Sequence, residues 1–136
     1  MTIAQHTLTI LEFPKIRQQL AQHTSFSASR ELALALVPDT EVGAVRYAFD
    51  ATSAARALFD AAPDVSIGGA RDIRPAVRLA QRGGVLEPGV LLDVAGTLAA
   101  MRQLRMRLLK LPDDPYAPLL DLANLLPDLP HVEGEL

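Results

Sequence analysis

The sequence predicts an all-α fold, and three observations carry that prediction. Hydrophobic residues make up 49% of the 136 residues but aromatic ones only 4%, so a core has to be built from Leu, Val and Ala, a palette that favours helices over strands. Apolar residues recur at spacings of three and four along most of the chain, the period of a helix with one buried face. Two glycine pairs, Gly68-Gly69 and Gly83-Gly84, sit where helices would have to turn, because glycine takes positive φ without steric cost. No alternating pattern competes for strands. At this length roughly two-thirds of the extended chain's surface could be buried, enough for one domain.

Taken in order, Thr7 is placed to cap a first short segment carrying Leu8, Ile10 and Leu11, which Pro14 restarts or kinks. Ile16, Leu20 and Ala21 continue the stripe to about His23, and Thr24, Ser25, Ser27 and Ser29 supply a turn and a cap. A second helix is expected over Ala28 to Leu36, with Leu32, Ala35 and Leu36 on one side, ending before Pro38. Asp39 or Thr40 would then cap a third, Glu41 to about Ala61, whose wide apolar side holds Val42, Val45, Phe49, Thr52 and Phe59, adjoined by Ala48, Ala51, Ala55 and Leu58.

The stretch from Ile67 to Leu111 organises the rest. After the first glycine pair, either Asp72 caps a short helix or Arg74 does, with Pro75 in the first turn. That helix runs to about Arg82 and aligns Arg74, Arg78 and Arg82, with Arg71 just ahead, while Ile73, Val77 and Ala80 face elsewhere. Past Gly83 and Gly84, Pro88 opens one long helix, residues 87–111, the spine of a bundle. Leu91, Val94, Leu98, Met101, Leu104 and Leu108 step along it, and it would span about 35 Å. Arg102, Arg105, Arg107 and Lys110 gather near its C-terminus, where they suit the helix dipole. Pro112 to Pro115 stop it, and a final helix follows from Tyr116 to about Leu126. Residues 1–126 are thus expected to form a single helical domain, and 127–136 an acidic, proline-containing tail.

The search for chemistry is mostly negative. The chain has no cysteine, which removes disulfides, thiolate metal sites and cysteine nucleophiles. Neither glycine pair is followed by the Lys and Ser/Thr of a phosphate-binding loop; both read as turns. His6, His23 and His131 stand far apart with no second ligand at metal-binding spacing. Ser25, Ser27 and Ser29 lack a nucleophile elbow. No catalytic residue, cofactor or metal is therefore expected in this chain. A net charge of -3 and a pI near 5.5 argue against nucleic-acid binding through bulk charge. Local contact is a separate matter: Arg71, Arg74, Arg78 and Arg82, or the basic end at Arg102, Arg105 and Lys110, could follow a phosphate backbone; the arginine row could instead be a solvated face paired with acids, or Arg71 or Arg74 could fix the glycine turn. The N-terminus lacks a basic leader and no apolar run is long enough to cross a bilayer, which leads to the expectation of a cytoplasmic chain.

The run Gly68-Gly69-Ala70-Arg71-Asp72-Ile73-Arg74-Pro75, then Gly83-Gly84-Val85-Leu86 and Leu91-Leu92-Asp93, resembles the N-terminal region of the second bacterial MutS family. Thr7-Leu8, Leu11-Glu12-Phe13, Lys15-Ile16 and Leu20 resemble its opening helix, and the likeness covers nearly the whole chain. Ala70 and Gly89 depart from the usual larger aliphatic and acidic residues. The resemblance implies that the chain begins a longer protein and corresponds to its helical core and lever region. That parent would be a homodimeric ATPase using ATP and Mg that binds branched DNA and suppresses homologous recombination, a DNA-repair role, in many members with a C-terminal endonuclease domain; some members act instead on collided ribosomes. The alternatives are a self-standing nucleic-acid-binding module or a dimerisation and partner-docking module.

Overall fold

A computed structural model describes residues 5–135 and is helical throughout, with eight helices and no strand among those residues. They are α1 (Gln5–Ile10), α2 (Phe13–Gln22), α3 (Ser27–Ala35), α4 (Val42–Ala61), α5 (Arg74–Gln81), α6 (Pro88–Leu108), α7 (Asp113–Leu125) and α8 (Pro130–Glu135). Their contacts fall into two compact units, Met1–Val45 and Arg46–Leu136.

In the first unit α1 and α2 are separate helices. Glu12 turns the chain at φ 55°, and Pro14 falls in the first turn of α2, where its missing N–H deprives no intrahelical bond. Thr7 does not cap α1 but lies inside it, its carbonyl accepting the amide of Leu11 at 3.0 Å. α2 packs on α3 through the small residues Ala21 and Ala33, both buried. Leu32, expected on the inner side of α3, is 73% exposed. The close approach of two helices is made by alanines, and the leucine next to one necessarily points about 100° away.

The second unit has a thin core: Ala54 and Leu58 of α4, Val65 of the following loop, Leu108 of α6, and Leu119 and Ala123 of α7. The first turn of α4 is closed by Glu41, whose carboxylate accepts the amides of Gly43 (2.9 Å) and Ala44 (2.5 Å), while Asp39 accepts the amide of Glu41 itself. Of the wide apolar side expected for α4, the part with Ala51, Ala55 and Leu58 is covered, together with Ala54, whereas Phe49 and Phe59 are 69% and 55% exposed. α6 meets the expectation of a spine. Its predicted stripe is buried or half-buried along its length, Pro88 stands in its first turn, and it ends three residues short of the predicted Leu111. At 21 residues it spans about 31 Å. α7 becomes regular only after Asp114 and Pro115, as its predicted start at Tyr116 implies. One helix was not foreseen. α8 forms in the acidic 127–136 stretch, held by Glu133 to Arg102 of α6 at 3.0 Å.

Candidate nucleic-acid interface

The candidate residues all belong to the second unit, on the glycine turn, on α5 and the turn that ends it, and on the C-terminal half of α6 and the residues just after it. Ile67 to Ala70 make a β-turn closed by the amide of Ala70 on the carbonyl of Ile67 at 3.1 Å, with Gly69 at φ +88° in the position that demands glycine. The next residue is clamped to α6. The amide of Arg71 donates to Thr97 Oγ1 at 2.9 Å, and that hydroxyl donates to the carbonyl of Asp93 one turn earlier at 2.7 Å. Thr97 is only 4% exposed, so this hydroxyl is the buried polar link that seats the turn on the spine. Outside it, Arg71 Nε lies 3.5 Å from Asp93 Oδ1 at the surface.

Ile73, and neither Arg74 nor Asp72, stands at the N-cap of α5, without a side-chain capping bond; Asp72 lies one residue ahead of it. Its carboxylate accepts the Arg74 amide at 3.1 Å and the Arg74 guanidinium at 2.8 and 2.5 Å, with Pro75 in the first turn. α5 buries Ala76, leaving Val77 and Ala80, the expected apolar side, exposed. At its C-terminus the amide of Gly83 reaches the carbonyl of Ala80 (2.9 Å) and that of Gly84 the carbonyl of Leu79 (3.0 Å). With Gly83 at φ +76°, these two bonds are a Schellman motif. Both glycine pairs are thus structural turns.

The seven candidate cations divide into two groups. Arg71 and Arg74 are paired with Asp93 and Asp72. Arg102 lies against both carboxylate oxygens of Glu133, and Arg105 sits 3.8 Å from Asp128, its Nε buried without an acceptor among the described residues. Arg107, which is not one of the seven, likewise meets Asp64 at 3.0 Å. Arg78, Arg82 and Lys110 are exposed and carry no ion pair among the described residues. Arg78 lies in the last turn of α5 and Arg82, four residues on, at its C-cap. The clamp through Thr97 had no local signal in the sequence, since a single threonine in a leucine-rich helix reads as filler. The acidic partners were equally hidden, although an excess of acids over bases made such pairing the expected fate of most arginines.

The remaining features add no chemistry of their own. Tyr47 Oη donates to Asp121 Oδ2 at 3.3 Å, and partial desolvation, aided by that carboxylate, holds the phenol above its ordinary range. An open groove of about 660 Å³ between α4 and the start of α7 is lined by Asp50, Ser53, Asp113 and Asp114 among others. No group of histidines and carboxylates suited to a metal occurs among the described residues. No helix of the described residues is long and apolar enough to cross a membrane.

No family model matches the chain. Curated relatives do. It is 39% identical to the Endonuclease MutS2 of Symbiobacterium thermophilum over 132 residues, which is 97% of this chain and 16% of that protein. It is 37% identical to the Endonuclease MutS2 of Geobacillus thermodenitrificans over 134 residues, 97% of this chain and 17% of the relative. A third protein of that name, from Thermomicrobium roseum, is 34% identical over 136 residues, again 17% of its length. The chain therefore spans about one sixth of the relatives it matches.

Proposed function

Since this chain belongs to the MutS2 family, we propose that it serves as the N-terminal, non-catalytic helical core and lever segment of a longer, cytoplasmic, DNA-binding ATPase that suppresses recombination. ATP, Mg and any endonuclease chemistry would be handled by other parts of that protein. The observation that carries this reading is where the polar side chains are used. Thr97, Asp72, Asp64 and Glu133 tie turns and helices to one another, which stiffens a helical body, and a stiff body with discrete arrangements can transmit movement between distant sites. Exposed apolar side chains support it too: in the second unit Leu92 and Val85 are 71% and 91% exposed, and in this reading they pack against further parts of the longer protein.

The test is made on the parent. Gly69→Ala combined with Thr97→Val should leave basal ATP hydrolysis intact and reduce its response to branched DNA. A loss of basal hydrolysis equal to the loss of response would refute the coupling role, as would ATP turnover by the isolated chain.

A second reading, direct nucleic-acid contact, is favoured by the three unpaired cations Arg78, Arg82 and Lys110. In it the isolated chain binds branched DNA in a salt-dependent manner, and Arg78→Glu with Arg82→Glu abolishes the binding. Absence of binding at low salt rejects it. Binding to ribosomes but not to DNA would shift the parent's role to collided ribosomes.

A further inference from the structure

Two arginines of the long helix are occupied by acids from the segment after α7, and occupied incompletely. Arg102 and Arg105, three residues apart on α6, are neighbours on one side of it. Arg102 Nε faces both oxygens of Glu133, at 3.1 and 3.0 Å, so one N–H is shared between two acceptors. Asp128 lies 3.8 Å from Arg105 Nη1, close enough for attraction and too far for a hydrogen bond. Arg105 Nε is buried and meets no acceptor among the described residues. Two carboxylates thus neutralise two guanidinium groups and leave a buried donor over. The segment that supplies them is lightly held. α8 has six residues and buries none of them, and an isolated helix needs at least twice that length. Of residues 127–135 only Leu129, Val132 and Glu133 are even half-covered. Residues 127–136 carry three acids and no Lys or Arg, whereas four cations lie from Arg102 to Lys110, so opposite charge is the main attraction between segment and helix.

We propose that residues 128–133 are a displaceable strap over an anion site formed by Arg102 and Arg105, and that the phosphate backbone of a nucleic acid takes the place of the two carboxylates. This rests on the reading in which the chain contacts nucleic acid directly, and adds to it two cations and their control. A phosphate offers oxygens on several sides of a tetrahedral centre, two of which a guanidinium fork takes at once, and it can supply the acceptor that Asp128 fails to give Arg105. On displacement Asp128 and Glu133 return to water, and the exposed Asp128 is solvated already. The strap sets a threshold. Closed, it holds its acids against the arginines at the effective concentration of an attached segment, and those acids repel an approaching phosphate backbone. Isolated anions therefore fail to open it, and a polyanion that engages several cations together succeeds. The affinity observed is the open-state affinity reduced by the fraction of chains that are open.

The test follows binding of a short duplex oligonucleotide to the whole chain by fluorescence anisotropy at several salt concentrations. Asp128→Asn with Glu133→Gln should tighten binding at least about tenfold and steepen the salt dependence by about two phosphate contacts. Adding Arg102→Gln and Arg105→Gln to that variant should cancel both changes. Should the fourfold variant misfold, adding Arg102→Gln alone should still remove about one contact from the slope. Asp50→Asn with Asp60→Asn, at two exposed acids of α4, alters the net charge equally and should tighten binding far less. No gain on neutralising the strap overturns the proposal, as does a gain that persists without the two arginines or that the α4 pair reproduces. The direct-contact reading fails in a different way: an unmodified chain that ignores DNA at low salt sinks it, whereas a gain that appears on release and needs Arg102 and Arg105 upholds the strap.

Discussion

Replacing Thr97 by valine tests whether one hydroxyl holds the glycine turn on the long helix. Valine keeps the shape of the side chain and removes only the oxygen that accepts the Arg71 amide at 2.9 Å and donates to the Asp93 carbonyl at 2.7 Å. The carbonyl loses an auxiliary partner, but the amide is left in a half-buried position without any. A neutral hydrogen bond contributes about 1 kcal/mol net, and a stranded donor costs about 1 to 3 kcal/mol. The extra methyl recovers part of this at so buried a site, for a net destabilisation of about 1 to 2 kcal/mol. Amide hydrogen exchange followed by NMR is the decisive assay because it reads the link itself. The Arg71 amide should exchange about tenfold faster or more, beyond any change shared with the α6 amides. Thr97→Ser keeps the hydroxyl and loses a methyl, so it should lower stability by about 0.8 kcal/mol while leaving the Arg71 amide protected relative to its neighbours. Asp93→Asn, which weakens only an exposed ion pair, should cost less than about 1 kcal/mol. If Arg71 in Thr97→Val exchanges no faster than the global change requires, the hydroxyl is not the clamp.

Other expectations follow from single geometric facts. Gly83→Ala forces a side chain into φ +76° and should destabilise by about 1 to 2 kcal/mol, whereas Gly89→Ala, in α6 with nothing within 4 Å of the new Cβ, should stabilise by about 0.4 to 1 kcal/mol; thermal melts of the pair read the opposite signs. Glu41→Ala removes the acceptor for the amides of Gly43 and Ala44 and should cost about 0.5 to 2 kcal/mol in urea unfolding, as a lost N-cap does. The Tyr47 phenol, raised above 10.0 by desolvation and by Asp121, ionises less readily folded than unfolded. Its contribution is intact below pH 10.0 and is lost as pH rises through the folded-state value, so stability should fall at that alkaline edge. The difference between the ultraviolet titrations of the parent chain and Tyr47→Phe isolates this group, and a midpoint below 10.0 would contradict the geometry.

The helix boundaries were legible wherever proline or glycine sets them. Pro88 opens α6, Gly83 ends α5 in the left-handed turn its position demanded, and Asp72 meets the first amide of α5 from just ahead of the Ile73 N-cap. The faces were less legible. α4 carries phenylalanines on one side and alanines on another, and hydropathy favoured burying the rings. The structure leaves Phe49 and Phe59 exposed and buries Ala54, with Leu58 of the adjoining apolar residues. α8 escaped notice because its six residues have no amphipathic period; what holds it is an ion pair to a helix far back in the chain.

The candidate site shows the same division. Residue type and spacing were enough to nominate a row of arginines on α5 and a basic end on α6. Which of them remain free depends on Asp93, Asp72, Glu133, Asp128 and Asp64, and all of those pairings but Arg74–Asp72 join positions 22 to 43 residues apart.

By itself, then, the sequence determined the helical class, the turns and the ends of the principal helices, because φ preferences, missing amide hydrogens and a 3.6-residue period act within a few residues of their cause. Only the tertiary structure decided which sides of α3 and α4 are covered, which cations are already neutralised, and that a lone threonine seats the glycine turn. These depend on which groups meet across the fold, and no local propensity specifies that.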